Sequence, residues 1–272
     1  LRFGQVIQHT IYTTFDDDTT QAAVRFLVAM ADATKGSEEP RDVRIAATRD
    51  SALRGMLRAQ YPNGAWPQRY RGEPRDPARH PVKQARIPAQ YLRSWPDADY
   101  TGFYPMNDNV QARCIETMLA AYRTLGRKEH MEAATRCSEF LLLAQLPAPQ
   151  RGWAQQYDHN MEPAWARQME PPGVCSAESG NVIFTLIDMY LETGDRRYLD
   201  SAREAVAWLK RSQIAPNRWS RYYELGTNRP IYGDTDGKVH HQPPARSGYS
   251  WQSAYQIPEA IASGRICDSK SI

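Results

Sequence analysis

A two-helix unit occurs three times along this chain, and this repetition constrains the fold more than any other feature of the sequence. Each unit has a first segment of helical apolar periodicity, a glycine, a second periodic segment and a loop rich in Trp and Tyr. The glycines are Gly36, Gly126 and Gly194. Glycine takes the left-handed conformation at a helix end without a Cβ penalty, so each unit is predicted to be an antiparallel helical hairpin.

The helices of the three units follow one order. The first helices are predicted over residues 20–34, 110–125 and 181–193, and the second helices over residues 44–60, 131–145 and 196–213. Each second helix ends on a glutamine and is followed by a tryptophan and, four residues later, a tyrosine. These residues are Gln60, Gln145 and Gln213, then Trp66, Trp153 and Trp219, then Tyr70, Tyr157 and Tyr223.

One hairpin cannot bury its apolar face alone, so the three hairpins must pack side by side. We predict an all-α fold, an α/α toroid built from three helical hairpins, with the long loops gathered at one end. A single domain is expected over residues 1–272, with a proline-rich loop insertion at 71–102 and a C-terminal tail at 256–272. The insertion is expected to form a long, lid-like loop.

Bulk properties exclude several classes of protein. Apolar stretches such as Phe140–Ala144 are too short to cross a bilayer, and the net charge of +3 with no Lys/Arg run longer than two argues against nucleic-acid binding. The four cysteines form no C-x-x-C pair and are interpreted as buried thiols. We expect neither a nucleic acid nor a membrane as a partner.

Acidic and polar segments precede the first helices, at the end of the fold where the three Trp loops also lie. They are residues 15–18 (FDDD), residues 106–109 (MNDN) and residues 174–181. Such residues commonly cap helices, but three consecutive aspartates exceed what a cap needs, and a cation would offset their repulsion. The tryptophans either pack inside the hairpins or form platforms for sugar rings. Arginines that could bind carboxylates follow the second and third Trp loops: Arg167, Arg221, Arg229 and Arg246.

Several motifs carry a resemblance to a known family. They are YPNGAWPQRY (Tyr61–Tyr70), MNDNV (Met106–Val110), WAQQYD with PAWARQMEPP (Trp153–Pro172), SAES (Ser176–Ser179), RYYELGTNRPIYGDTDGKV (Arg221–Val239) and RSGYSW (Arg246–Trp251). In this order the sequence resembles the family 10 polysaccharide lyases, pectate lyases with a helical toroid fold, over nearly the whole chain. The resemblance implies calcium (Ca²⁺) as a cofactor, polygalacturonate (pectate) as the substrate and cleavage of α-1,4 linkages by anti β-elimination.

The resemblance also implies roles for particular residues. Arg167, in the Pro-x-x-Ala-Arg-x-x-Glu motif, becomes the catalytic base. The expected metal ligands are Asp108 with Asp16 and Asp18, and Asp17 competes because FDDD stands where the family has a single aspartate. The expected substrate contacts are Arg221, Arg246, Trp66, Tyr222 and Asn107.

An arginine base has a reference pKa above 12, so neighbouring calcium and arginines would have to lower it, and an alkaline activity optimum is expected. Two alternatives stay open. One is a glycoside hydrolase on the same toroid, with Asp108 and Glu178 as its carboxylate pair. The other is a catalytically inactive pectate-binding homologue. A monomer that is secreted or periplasmic is expected.

Overall fold

A computed structural model describes residues 12–72, 76–244 and 250–269 of the chain. Seven α-helices lie in these ranges. They are α1 (Thr19–Ala33), α2 (Pro40–Ala59), α3 (Val110–Leu125), α4 (Lys128–Ala144), α5 (Ser176–Thr193), α6 (Arg196–Arg211) and α7 (Ile257–Ser269). None of the described helices is long and apolar enough to cross a membrane.

The first six helices form three hairpins, as predicted. Within each hairpin the two helices pack together, and the first helices also pack in series, α1 on α3 and α3 on α5. Apolar side chains such as Val28, Met118 and Leu186 are buried between these layers. The all-α toroid built from three hairpins is therefore confirmed.

Tight turns close one end of two hairpins. Gly126 ends α3 with φ 67°, and Gly194 ends α5 with φ 73°. In each case the glycine N–H donates to a helix carbonyl four residues earlier, of Tyr122 or Tyr190, at 2.7 Å. A left-handed residue is needed at this point, which explains the glycines of the repeat.

Short antiparallel strand pairs tie the opposite end of each hairpin. The strands are β1 (Thr13–Thr14), β2 (Arg69–Tyr70), β3 (Tyr104–Pro105), β4 (Trp153–Ala154), β5 (Gln156–Tyr157), β6 (Val174–Cys175), β7 (Trp219–Ser220), β8 (Tyr222–Tyr223), β9 (Pro230–Gly233), β10 (Val239–His240) and β11 (Gln252–Ser253). The repeated tyrosines pair with the segments that lead into the first helices: Tyr70 with Thr13, Tyr157 with Tyr104 and Tyr223 with Val174. The Trp loops and the starts of the first helices therefore lie at one end, as predicted.

The third hairpin carries the largest sheet, five strands in the order β10, β9, β8, β6, β4. All of its pairings are antiparallel. Strand β4 comes from the loop after α4, so the sheet joins the second hairpin to the third.

The repeated tryptophans are packing residues. Trp66, Trp153 and Trp219 are at most 2% exposed. The indole Nε1–H of each donates to a carbonyl near the end of the preceding helix, of Met56, Leu141 or Leu209, at 2.7 to 2.8 Å. The prediction that Trp66 contacts substrate is therefore wrong, because a fully buried indole offers no face to a sugar ring.

The repeated glutamines join neighbouring hairpins. Gln60 Nε2 donates to Ala133 O on α4, and Gln145 Nε2 donates to Ser201 O on α6, both at 2.9 Å. The third glutamine, Gln213, is exposed, and Ser212 ends α6 instead. Among the described residues, no fourth hairpin follows α6 for Gln213 to bind.

Two segments differ from or add to the sequence expectations. Residues 256–272, expected to be a tail, contain α7, which packs on α5 and α6 and buries Ile257 and Ala260. The described part of the insertion, residues 76–102, is called the strap below. It has one short 3₁₀ turn and otherwise follows the loops at the open end of the hairpins, with backbone hydrogen bonds to Leu143, Met161 and Gly237.

Candidate active site

Two short turns with the same backbone shape precede α1 and α3. Residues Asp16–Asp18 and Asn107–Asn109 are 3₁₀ turns, and the central residues Asp17 and Asp108 have φ values of 49° and 54°. Aspartate and asparagine tolerate this left-handed conformation better than most residues. The two turns contact each other, so the internal repeat brings its acidic residues to one place.

Side chains and loops from other elements hold these turns. Gln21 Nε2 donates to Phe15 O at 2.8 Å, and Gln111 Nε2 donates to Pro105 O at 2.7 Å. The Gln155 carbonyl accepts from the backbone N–H groups of Met106 and Asn107 at 2.8 and 3.1 Å. The turns are therefore fixed before any ligand binds.

Three carboxylates converge at this point. One oxygen each of Asp16, Asp17 and Asp108 lies within 4.8 Å of the others. Burial and the neighbouring carboxylates of Asp16 and Asp17 raise the pKa of Asp108 to about 6, against a hydrogen bond from Asn107 that lowers it. Asp16 Oδ1 is buried and has no hydrogen-bond partner among the described residues. Mutually repelling oxygens with unused acceptor capacity fit a hard divalent cation such as Ca²⁺.

Asp18 does not belong to this cluster. Its Oδ2 lies 2.5 Å from Arg25 Nη2 and 3.9 Å from Arg113 Nε, so its side chain contacts arginines of α1 and α3. The structure therefore does not place the expected ligand Asp18 among the three converging carboxylates. Asp17, which the sequence left in competition, has the position in its turn that Asp108 has in the other, and it belongs to the cluster.

Asn107 supports the cluster. Its side chain is 7% exposed, and its Nδ2 donates to Asp108 Oδ2 at 2.5 Å. Asn107 therefore orients Asp108 directly. The sequence had predicted a substrate contact for Asn107 and not this role.

Arg167 lies in a tight turn between β5 and β6. Its Nε is 3.2 Å from Glu170 Oε1, its backbone N–H donates to Glu170 Oε2 at 3.0 Å, and its side chain is 55% exposed. Glu170 itself is buried. Gly233 of β9 allows the close approach of this turn, because a Cβ there would collide with the Met169 carbonyl. The guanidinium is thus anchored at one edge and open to solvent at the other.

A small buried charged network, Glu178 with Arg221, lies within electrostatic range of the acidic cluster and of Glu170 in the Arg167 turn. Glu178, in the first turn of α5, lies 3.8 Å from Arg221 Nη2, and both are largely buried. Burial raises the pKa of Glu178 to about 7; Arg221 opposes this shift, while the carboxylates of Asp108 and Glu170 add to it. Glu178 therefore lies in the electrostatic field of both the acidic cluster and the Arg167 turn.

Tyr222 lies beneath this network. It is fully buried, and its hydroxyl donates to Gln155 Oε1. Because the Gln155 carbonyl holds the turn before α3, Tyr222 acts on that turn through Gln155. The predicted direct contact of Tyr222 with substrate is therefore wrong. Arg246, the other predicted carboxylate ligand, lies outside the described residues.

Sequence reasoning missed Tyr100 of the strap. Burial raises the pKa of its hydroxyl, and the charges of Arg167, Glu170, Arg69 and Asp16 also act on this pKa. Tyr100 is thus a common neighbour of the arginine turn and the acidic cluster. No sequence signal marks it, because it lies in an insertion without periodicity.

The chain is similar to known proteins both in its family profile and in its fold. The profile of the pectic acid lyase family matches residues 5–218 and 212–259. The family 10 polysaccharide lyase from Cellvibrio cellulosa has a similar structure, with a TM-score of 0.66, 21% identity, and coverage of 94% of this chain and 81% of that chain. A mutant of that enzyme in complex with trigalacturonic acid gives a TM-score of 0.67 at 21% identity, covering 96% of this chain and 82% of that chain.

More distant structures share only the toroid. The unsaturated glucuronyl hydrolase from Bacillus sp. GL1 has a TM-score of 0.50 and 14% identity, covering 94% of this chain and 59% of that chain. No curated protein sequence matches the chain significantly. Fold, site and family profile together define a polysaccharide lyase on an α/α toroid. Within that class, the chain belongs to the pectic acid lyase family.

The raised pKa of Glu178 has a measurable effect on stability. Burial raises the pKa of Glu178 to about 7 in the folded state, whereas an unfolded glutamate has its ordinary pKa of 4.5. The contribution of Glu178 to the free energy of unfolding is therefore fully present below about pH 4.5 and is lost as pH rises through about 7. Glu178→Gln should raise the free energy of unfolding above pH 7 by on the order of 2–3 kcal/mol and change little below pH 4.5.

Urea unfolding in the presence of a chelator, at several pH values, measures this effect without a contribution from bound cation. Glu192→Gln on the same helix is the matched control, since its carboxylate contacts the exposed Arg123. An equal loss of stability at all pH values in Glu178→Gln would show that the Arg221 pair stabilises the fold instead.

Proposed function

We propose that this protein is a calcium-dependent pectate lyase that cleaves α-1,4-linked polygalacturonate by anti β-elimination, with Arg167 as the base that removes the C5 proton. The observation that carries the proposal is the convergence of the Asp16, Asp17 and Asp108 carboxylates at the end of the toroid that also carries the solvent-accessible Arg167. The family 10 enzyme solved with trigalacturonic acid supports a polyuronate as the substrate. A secreted or periplasmic location is part of this proposal.

The chemistry requires a proton acceptor and stabilisation of negative charge. The C5 hydrogen of a uronate lies next to a carboxylate, so its removal builds charge on the carboxylate oxygens. Calcium, when bound by the three aspartates, supplies a positive charge for those oxygens. Arg167 takes the C5 proton, the electron pair forms the C4=C5 double bond, and the C4–O bond breaks, with the leaving oxygen protonated from solvent.

Glu170 has a positioning part in this step. It is almost fully buried and contacts both the backbone N–H and the Nε of Arg167, which fixes the position of an arginine whose side chain is 55% exposed. Arg221 lies on the other side of Glu178 and adds positive charge to the same end of the toroid. The raised pKa values of Asp108 and Glu178 are also compatible with the hydrolase alternative, which needs a protonated carboxyl near neutral pH.

Incubation of the purified protein with polygalacturonate tests the proposal. With calcium, we expect ultraviolet absorbance from the unsaturated product, and we expect EDTA to abolish it and excess calcium to restore it. New reducing ends without absorbance would identify a hydrolase. Binding of polygalacturonate without any product would identify an inactive homologue, and either result would overturn the proposal.

A further inference from the structure

A cavity lies beside the Arg167 turn, and its apolar lining differs from the charged residues of the acidic cluster. It has a volume of about 400 Å³ and lies between the strap and residues 158–172. We call it the strap pocket. Its walls include Tyr91, Leu92 and Pro96 from the strap and Pro163 and Trp165 from the facing loop. This size and apolar character suit a site for a sugar-sized group.

Hydrogen bonds hold the walls of the strap pocket together. Trp165 Nε1 donates to Leu92 O at 2.9 Å, and Trp95 Nε1 donates to Ala166 O at 3.1 Å. On the far side, Trp95 N donates to Gly237 O at 2.7 Å, which joins the strap to the loop between β9 and β10. The pocket is therefore pre-formed, and its wall continues directly into the turn that carries Arg167.

The charge of the strap pocket is opposite to what a free uronate needs. Among the described residues, no Lys, Arg or His lines the pocket. Two acidic residues, Asp158 and Glu162, do line it. Glu162 pairs with Arg86 at 2.7 Å, and Asp158 accepts from the backbone N–H groups of Asn160 and Glu162. Because Arg86 is already paired with Glu162 and does not line the pocket, a uronate carboxylate placed here would lie beside Asp158 without a lining cation to bind it, which is costly.

We propose that the strap pocket binds a methyl-esterified uronate residue of the same polysaccharide chain whose neighbouring residue reacts at Arg167. The ester removes the charge that Asp158 repels and adds a methyl group that the apolar wall buries. The occupant belongs to the substrate because the pocket wall from Pro163 to Trp165 continues directly into Ala166 and the Arg167 turn. This inference rests on the proposed function. A pocket of this kind makes the enzyme selective for partly esterified pectin.

The test compares half-methyl-esterified pectin with polygalacturonate. Leu92→Lys places a cation in the pocket at a side chain that is 60% exposed, so folding should be unaffected. Val82→Lys is the matched control, since Val82 is 67% exposed on the same strap and does not line the pocket. Ala98→Lys provides a second pocket variant on the strap.

The wild type and Val82→Lys should show the higher kcat/KM on half-esterified pectin. In Leu92→Lys and Ala98→Lys, the ratio of kcat/KM values should shift about 10-fold towards polygalacturonate. The same preferences should appear in the affinities for the two polymers, measured by calorimetry after Arg167→Ala has been added to each of these proteins. Equal discrimination in the pocket variants and Val82→Lys would overturn the inference alone. If neither polymer is bound or converted to product, the proposed function is overturned as well.

Discussion

Replacement of Arg167 by alanine should reduce kcat on polygalacturonate by about 100- to 10,000-fold, the usual contribution of a positioned proton acceptor. The guanidinium is 55% exposed and its anchor is Glu170, so its loss removes no core packing. Arg167→Lys should recover little activity, because a lysine ammonium cannot keep the paired contact with Glu170 and also face the C5 proton. The residual rate should lose the rise towards alkaline pH expected of the wild type.

The matched control is Arg197→Ala. Arg197 is 61% exposed and pairs with Glu139 and Asp195 near the start of α6, away from the acidic cluster. Its substitution should leave kcat within about twofold of wild type, since exposed pairs contribute little. Initial rates of ultraviolet absorbance, with circular dichroism as the folding check, provide the measurement. An Arg167→Ala protein that retains wild-type kcat would exclude this residue as the base.

Asp108→Asn should weaken calcium binding by on the order of 100-fold, because it removes one of three converging carboxylates. The same change should stabilise the cation-free protein, since it removes a carboxylate whose burial and repulsion by Asp16 and Asp17 raise the pKa of Asp108 to about 6. Titration calorimetry with calcium alone measures the affinity, and the shift of Tm with calcium measures the linked stability. Lyase activity should fall in parallel and recover in part at high calcium.

Asp18→Asn distinguishes the two candidate ligand sets. Asp18 contacts Arg25 and lies outside the cluster, so this variant should bind calcium with nearly wild-type affinity, whereas Asp17→Asn should resemble Asp108→Asn. Loss of calcium binding in Asp18→Asn with normal binding in Asp17→Asn would show that the turn rearranges around the ion. Magnesium in place of calcium is a further control, because its shorter bonds need a stricter octahedral arrangement.

The hairpins could be predicted from sequence because three independent copies of the pattern agree. The turn glycines Gly126 and Gly194 and the interhairpin glutamines Gln60 and Gln145 all have a physical task that the repeat reveals. Helix α7 was missed because residues 257–269 lie outside the repeat and contain Pro258 and Gly264, which disfavour helix.

The sequence could single out a candidate site residue only where one residue of the required type stands in the motif. Arg167 and Asp108 stand alone in their motifs, whereas the choice among three adjacent aspartates depends on backbone angles that composition does not encode. The tryptophans mislead for a related reason: packing and sugar binding both favour Trp, and only the Nε1 bonds to helix carbonyls distinguish them. Tyr100 could not be predicted, since its position depends on the path of the strap across the toroid.

The two ends of the hairpins differ in how freely their chain length can change. At the end with Gly126 and Gly194, helix follows helix within a few residues, so an extra residue would shift the register of a whole hairpin. At the other end, two-residue strand pairs clamp the bases of the loops, and any length of chain can leave and return between the clamps. The strap illustrates this, leaving after Tyr70 and returning at Tyr104 without displacing a helix. Substrate preference can therefore diversify by loop insertion while the catalytic groups stay on an unchanged frame.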